Sequence, residues 1–208
     1  NLITLIPTLL RECERRFPEV QLKILDAMSV NSARLIADGK VDLGLIPNAA
    51  DLSRVHVTPV YRESLYLVGK GVAEGHEQGT ILFEELADYP LVAPSRPHNI
   101  RMHIEQTALE ARRPLDIRYE QDTGLILRCM MNNGIASAII PRDVMNAELD
   151  RGELDALRVI EPGIERIHSL VRLDSRPHTS ACRALEGLII ELIQALCDEG
   201  TLDGEVLA

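Results

Sequence analysis

Short polar and basic side chains gather at three places that read as helix starts following strands. These are Ser29 with Asn31, then Ser95, Arg96, His98 and Asn99, and then Thr123 behind Asp122. Such residues at a helix start combine hydroxyl and amide groups with unpaired backbone N–H groups and the positive end of the helix dipole. That is the chemistry of holding a small polar or anionic ligand. Ser29 and Thr123 also suit N-caps, a role that needs no ligand.

Chemistry that makes or breaks bonds has less to stand on. There is no Gly-x-Ser-x-Gly elbow, no Gly-Lys-Ser/Thr phosphate loop and no Gly-x-Gly-x-x-Gly turn; Gly69-Lys70-Gly71 is too short to cradle a pyrophosphate. His56, His76, His98, His103, His168 and His178 include no pair three or four residues apart, the spacing by which one helix face presents two metal ligands. Carboxylates such as Glu12, Glu14, Glu84 and Glu85 read as solvated surface. The expectation is a binding protein rather than an enzyme, with neither cofactor nor metal.

Composition narrows the class of partner. The 208 residues carry 22 Lys and Arg against 32 Asp and Glu, a formal charge of −10, so the chain lacks the basic excess needed to grip nucleic acid unaided. At 46% hydrophobic and 26% charged it is an ordinary globular sequence. No apolar run approaches a membrane span, and Asn1-Leu2-Ile3 shows no secretion signal, so a cytoplasmic location is expected. Cys13, Cys129, Cys182 and Cys197 form no Cys-x-x-Cys pair and read as small buried hydrophobes of a reducing compartment.

The elements that would position the candidate residues follow from periodicity. Ile3, Ile6, Leu9, Leu10, Cys13 and Phe17 mark a helix ending before Pro18. Val20, Leu22, Ile24 and Leu25 read as a strand ending near Asp26, and Ser29 caps a helix that Gly39 closes. Val41, Leu43, Leu45 and Ile46 then read as a buried parallel strand halted by Pro47.

The same order returns further along. Ile104, Ala108 and Leu109 lie on a helix, Leu115, Ile117 and Tyr119 alternate as a strand, Thr123 caps a helix with Leu127, Cys129 and Met130, and Ile135 to Ile140 run into Pro141. Gly39 and Gly134 each lie 19 residues after the strand starts Val20 and Leu115. A repeated helix–strand–helix–strand series of this kind predicts two similar α/β lobes.

Two strong strands, Ser64 to Gly69 and His168 to Leu173, are placed to cross between the lobes. A final helix carries Leu185, Leu188, Ile189, Leu192, Ile193 and Leu196 behind a Thr179 or Ser180 cap. The expected layout is residues 1–69 in lobe I, 70–167 in lobe II, 168–197 returning to lobe I, and 198–208 as a loose acidic tail.

With these pieces in order, the sequence resembles the effector-binding domain of LysR-type bacterial transcriptional regulators. The resemblance rests on Phe17-Pro18-Glu19-Val20, Ser29, Gly39-Lys40-Val41-Asp42-Leu43-Gly44-Leu45, Leu65-Tyr66-Leu67-Val68, Leu82-Phe83-Glu84-Glu85-Leu86-Ala87 and Gly134-Ile135-Ala136-Ser137-Ala138-Ile139-Ile140-Pro141. It implies two Rossmann-like lobes joined by two crossover strands, the type 2 periplasmic-binding-protein-like fold. It further implies a small effector, an anionic metabolite such as a carboxylate, held in the cleft between the lobes.

Carried over by position, the resemblance places effector contacts at Ser29, at Ser95 to Asn99 and at the strand start Ile135-Ala136. Met28 departs from the small residue common before the family's Ser/Thr, and its bulk narrows the expected pocket. The resemblance also implies an upstream winged helix-turn-helix that makes the DNA contacts, and assembly into homodimers or homotetramers through faces around Leu9 and Cys13 and around Leu127 and Met131. Two other readings share the fold: a solute-binding protein of a transport system, and a regulatory domain that serves assembly without an effector.

Overall fold

The computed structural model describes residues 4–25, 29–49 and 54–207, with backbone alone for Ser29 and Val30. Asp26 and Met28 lie outside the described residues. The chain runs α1 (Leu5–Arg16), α2 (Ser29–Ala37), β1 (Gly44–Pro47), β2 (Val55–Ser64), β3 (Tyr66–Gly69), β4 (Thr80–Leu82), β5 (Leu91–Ala93), α3 (Asn99–Ala111) and β6 (Ile117–Glu120). It continues through α4 (Gly124–Asn132), β7 (Ala138–Ile140), α5 (Asn146–Asp150), β8 (Asp155–Ile160), β9 (Glu165–Leu173), α6 (Ser180–Asp198) and β10 (Gly204–Val206). No described helix is long and apolar enough to cross a membrane.

Two compact units form, the first from Asn1–Glu63 and Arg166–Ala208 and the second from Ser64–Glu165. The chain therefore passes between them at 63/64 and 165/166, a few residues before the expected 69/70 and 167/168.

In the first unit, α1 buries Leu5, Leu9 and Cys13 at four-residue steps, and these join Leu188, Ile189, Leu192, Ile193 and Leu196 of α6 in one core. Arg16 ties the two helices at their surface by donating to both oxygens of Glu191, at 2.7 and 2.6 Å. The sheet has the order β1-β9-β2-β10. β1 pairs antiparallel with β9, Gly44 opposite Val171, so the expected parallel strand has an antiparallel neighbour. Apolar runs report burial on both faces and are silent on the direction of the partner.

Two further expectations change in this unit. Val20 to Leu25 alternate in the right period but form no ladder, and Ile24 and Leu25 are each 47% exposed. Alternation specifies two faces, whereas a strand also needs an edge to pair with. At the other end, the tail expected to be loose is ordered. Leu202 is buried in the α1–α6 core, and β10 lies antiparallel on β2 with Gly204 opposite Glu63. At Gly204 a Cβ would strike the Arg62 carbonyl and the Tyr61 ring, so the close pairing needs glycine there.

In the second unit β3 is flanked antiparallel by β7 and β8, and β4 adds to β8 in parallel. Successive residues feed opposite faces, as the pleat requires: Leu67, Ile139 and Leu91 enter one core cluster, while Val68, Ile140 and Val92 enter another. β5 pairs in parallel with β6 and bridges in parallel to Ser137 on its other side.

The repeat between the halves extends to the helix ends. After α2, the Gly39 N–H donates to Ile36 O and the Lys40 N–H to Leu35 O; after α4, the Gly134 N–H donates to Met131 O and the Ile135 N–H to Met130 O. Both glycines sit at φ 66°, which makes these two copies of one Schellman cap. The cysteines are less uniform than expected: all four are free thiols, but only Cys13 is buried and Cys129 is exposed.

Candidate functional site

Within the second unit the parallel pair β5 and β6 brings two helix starts to one end of the sheet. Beyond β5 the chain turns through Ser95 into α3, and beyond β6 it turns through Asp122 into α4. The turns are tied together. The Ser95 N–H donates to Asp122 Oδ1 at 2.7 Å, and the Gln121 N–H donates to Ala93 O at 3.0 Å. Ser95, Arg96, His98, Asn99 and Thr123 thus share one end of the second unit.

Their roles there differ. His98 is the N-cap of α3, its Nδ1 accepting the Ile100 N–H at 3.2 Å. Arg96 holds Glu105 with both ends of its fork, at 2.8 and 2.7 Å, and Arg101 reaches the same carboxylate at 2.6 Å. Arg101 also donates to Pro94 O at 3.2 Å and meets Glu120 at 3.1 Å. Glu105 is held below the usual carboxylate range, chiefly by the Arg96 hydrogen bond; burial opposes this, and the Arg101 hydrogen bond adds to the lowering. Both guanidinium groups are therefore committed to carboxylates of the protein.

Two polar groups remain uncommitted. Thr123 occupies the N-cap position of α4 but makes no side-chain capping bond, contrary to the expected cap. The Thr123 N–H itself is accepted by the Gln121 side chain at 2.9 Å. Asn99 Oδ1 is buried without a hydrogen-bond partner among the described residues. A buried acceptor left alone is costly, and such groups ordinarily have a partner.

Ile135 and Ala136 lie elsewhere. Ser137 bridges Leu91, and its N–H donates to Pro90 O, so the two residues before it sit beside the amino end of β5. Ser95 lies past the carboxyl end. The structure does not bring Ile135-Ala136 to the other candidates, because a strand start and a strand end face opposite ways along a parallel sheet.

In the first unit Ser29 is the first residue of α2 and Asn31 is exposed in its first turn. This unit also holds a group that the sequence reading missed. Glu63, Arg166 and His168 are each about 2% exposed, with Glu63 Oε1 accepting from Arg166 Nε and from His168 Nε2, both at 2.8 Å; Arg166 Nη2 meets the same oxygen. The available signal was period two: Arg166, His168 and Leu170 share one strand face, where two charged or ionisable residues need a buried partner.

The faces proposed for assembly are also corrected. Leu9, Cys13, Leu127 and Met131 are all core residues, and the outward apolar groups on these helices are instead Leu10, Leu125 and Ile126, with Leu125 76% exposed. Among the described residues no three His, Cys, Asp or Glu side chains are placed to hold a metal ion.

Two α/β units, with helix starts gathered past parallel strand ends in the second, define a ligand-binding type of architecture. A family model described as the LysR substrate binding domain matches residues 3–194, and the chain belongs to that family. Curated relatives include the HTH-type transcriptional regulator BbuR of Bordetella bronchiseptica, 24% identical over 95% of this chain and 61% of that protein. Another is a probable hydrogen peroxide-inducible genes activator of Mycobacterium avium, 25% identical over 91% of this chain and 61% of that protein. The chain thus spans about three-fifths of the length of these relatives.

Among solved structures, the regulatory domain of CcmR from Synechocystis PCC6803 in complex with 2-PG matches with a TM-score of 0.80 at 14% identity, covering 91% of each chain. The effector-binding domain of QuiR in complex with shikimate matches with a TM-score of 0.76, also at 14% identity, covering 91% of this chain and 90% of that one. These likenesses establish the periplasmic-binding-protein-like fold.

Proposed function

We propose that the chain is the effector-binding and oligomerisation part of a DNA-binding transcriptional regulator, and that it senses a small polar or anionic metabolite. Family membership supports this reading, as does the naming of curated relatives as regulators. The observation that carries it is the pairing of two helix starts past β5 and β6, where Thr123 makes no cap and Asn99 Oδ1 is buried and alone. Such a group of N–H, hydroxyl and amide groups suits a carboxylate or hydroxyl-bearing ligand. With Arg96 and Arg101 engaged by Glu105, recognition falls to neutral donors and the helix starts. Ser29 and Asn31 at the start of α2 are the corresponding candidates in the first unit.

DNA contact in this reading belongs to a helix-turn-helix segment outside this chain, in keeping with its −10 charge. Assembly uses the outward residues Leu125 and Ile126 of α4. The test is thermal unfolding against a metabolite panel that includes 2-PG and shikimate, the ligands of CcmR and QuiR. Ligand at 100 times Kd adds about 2.7 kcal/mol of stability. A hit lost in both Thr123→Ala and Asn99→Ala supports the reading. A hit that both variants retain removes the proposed site, and silence across the panel favours a domain that serves assembly alone.

A further inference from the structure

α3 carries a second polar residue on the face that begins with Asn99. Asn99 and His103 are four positions apart on this helix and so stack one turn above the other, with Cβ atoms about 6 Å apart. Ile100 and Ile104, each one position further on, are packed in the core of the second unit, so the Asn99–His103 face flanks the buried stripe of α3. Both residues are half-buried. Helical side chains lean toward the amino end, which lays the His103 ring over the turn that Asn99 begins.

The histidine is fixed by a bond to the main chain. His103 Nε2 lies 2.7 Å from the carbonyl oxygen of Glu165, the last residue of the second unit before the chain passes back to the first. A carbonyl oxygen only accepts, so Nε2 carries the ring proton, and in the neutral imidazole Nδ1 is then an acceptor. Nδ1 has no donor among the described residues. Asn99 Oδ1, buried and equally without a donor, is a second acceptor on the same face.

Two acceptors side by side disfavour one kind of ligand group and call for another. A carboxylate brought to this face would set its lone pairs against those of Oδ1 and Nδ1, whereas the N–H groups of the helix starts receive it well. A hydroxyl group supplies the proton that each acceptor lacks. Acceptors one helical turn apart suit two hydroxyls on neighbouring carbons, each donating to one of them. Because the Glu165 carbonyl already holds the ring, little freedom remains to be lost when a ligand meets it.

We propose that His103 is a further ligand-contacting residue of the strand-end site, and that with Asn99 it selects a ligand bearing hydroxyl groups on two neighbouring carbons. This rests on the reading of that site as the effector site. A ligand held there is one side chain away from the point at which the chain leaves the second unit.

The probe is cis-1,2-cyclopentanediol, with cyclopentanol as its counterpart bearing one hydroxyl. The readout is two-dimensional NMR of the whole chain at pH 8, where an ordinary imidazole is neutral. The diol is expected to shift the His103 ring nitrogens saturably at millimolar concentration, and the Ser95 and Thr123 amides with them. It should bind about tenfold more tightly than cyclopentanol, the scale of one lost hydrogen bond. His103→Gln keeps an N–H donor that reaches the Glu165 carbonyl and has no acceptor in the place of Nδ1. It is expected to keep the wild-type Tm and to lose the preference for the diol, a loss that a purely structural histidine would not produce.

A diol preference retained in His103→Gln overturns the proposal, and so does a neutral His103 ring with its proton on Nδ1. If the Ser95 and Thr123 amides shift while the His103 ring does not, the strand-end site stands and His103 is no part of it. If neither the ring nor those amides respond at millimolar diol, the proposal is likewise overturned, and the strand-end reading is decided separately by the metabolite panel with Thr123→Ala.

Discussion

His168 Nε2 donates to Glu63 Oε1 at 2.8 Å, and neither side chain is more than 2% exposed. Burial alone would raise the Glu63 carboxyl, but the His168 hydrogen bond and the Arg166 charge outweigh it and bring the group down to about 2. Burial pushes His168 the other way from its partner's preference, below its ordinary 6.5, despite the adjacent carboxylate. The buried arrangement is therefore an ionised Glu63 with Arg166, and a neutral imidazole donating to the same oxygen.

This sets the first prediction, a loss of stability on mild acidification. Between pH 6.5 and the lower value of His168 in the folded chain, the unfolded chain binds the proton and the folded chain does not. Stability therefore rises with pH in that window and is lost as pH falls through it. Glu63 adds a second loss from about 4.5 down to about 2. His168→Gln, which retains an N–H donor without titrating, should flatten the dependence of the urea midpoint between pH 6.5 and 5. An unchanged slope would mean that His168 does not carry it.

A second prediction separates charge from packing in the same group. Glu63→Gln leaves the Arg166 guanidinium, 3% exposed, without its counter-charge. Breaking a buried pair on one side costs about 3–5 kcal/mol. For a chain of this size that is a fall in Tm of roughly 10 °C. The double variant Glu63→Gln/Arg166→Met should recover much of the loss, because it removes the orphaned charge. A double variant no better than Glu63→Gln alone would show that shape rather than charge dominates here.

The third prediction concerns β10. Removing residues 203–208 strips the partner from β2 and leaves its edge open, while Leu202 keeps its place in the core. Open edges pair with other chains. The truncated chain should lose about 1–3 kcal/mol in denaturant titration and show concentration-dependent association by light scattering. Gly204→Val should mimic it, since its side chain would meet Arg62 and Tyr61. Wild-type stability in both variants would mean that β10 contributes nothing to the sheet.

Local features were legible in the sequence. Gly39 and Gly134 mark their helix ends because a left-handed cap needs a residue without a Cβ, and this chemistry is complete within six residues. The apolar stripes of α1 and α6 were readable for the same reason. What failed was whatever depends on a distant partner. Glu63 finds Arg166 and His168 at separations of 103 and 105 residues. The pattern at Val20 to Leu25 could not say that no ladder would form. Likewise, Thr123 has the right residue type for a cap, yet its side chain makes no capping bond.

The same distinction decides which candidate residues should matter for ligand. Arg96 is the obvious anion receptor by residue type, yet its fork is closed on Glu105, and its side chain is 65% exposed. To serve a ligand it would have to leave a bidentate partner that Arg101 also holds in place. Arg96→Gln should therefore change the affinity for the effector by no more than about twofold, the scale of a solvent-screened charge. Thr123→Ala should behave in the opposite way. With no capping bond to lose, its stability should shift by less than about 0.5 kcal/mol, whereas its affinity should fall about tenfold. Titrating both variants with whichever metabolite raises the wild-type Tm checks the pair. A tenfold loss in Arg96→Gln with none in Thr123→Ala would mean that the guanidinium exchanges Glu105 for the ligand, and that the effector is recognised as an anion by charge rather than by the helix starts.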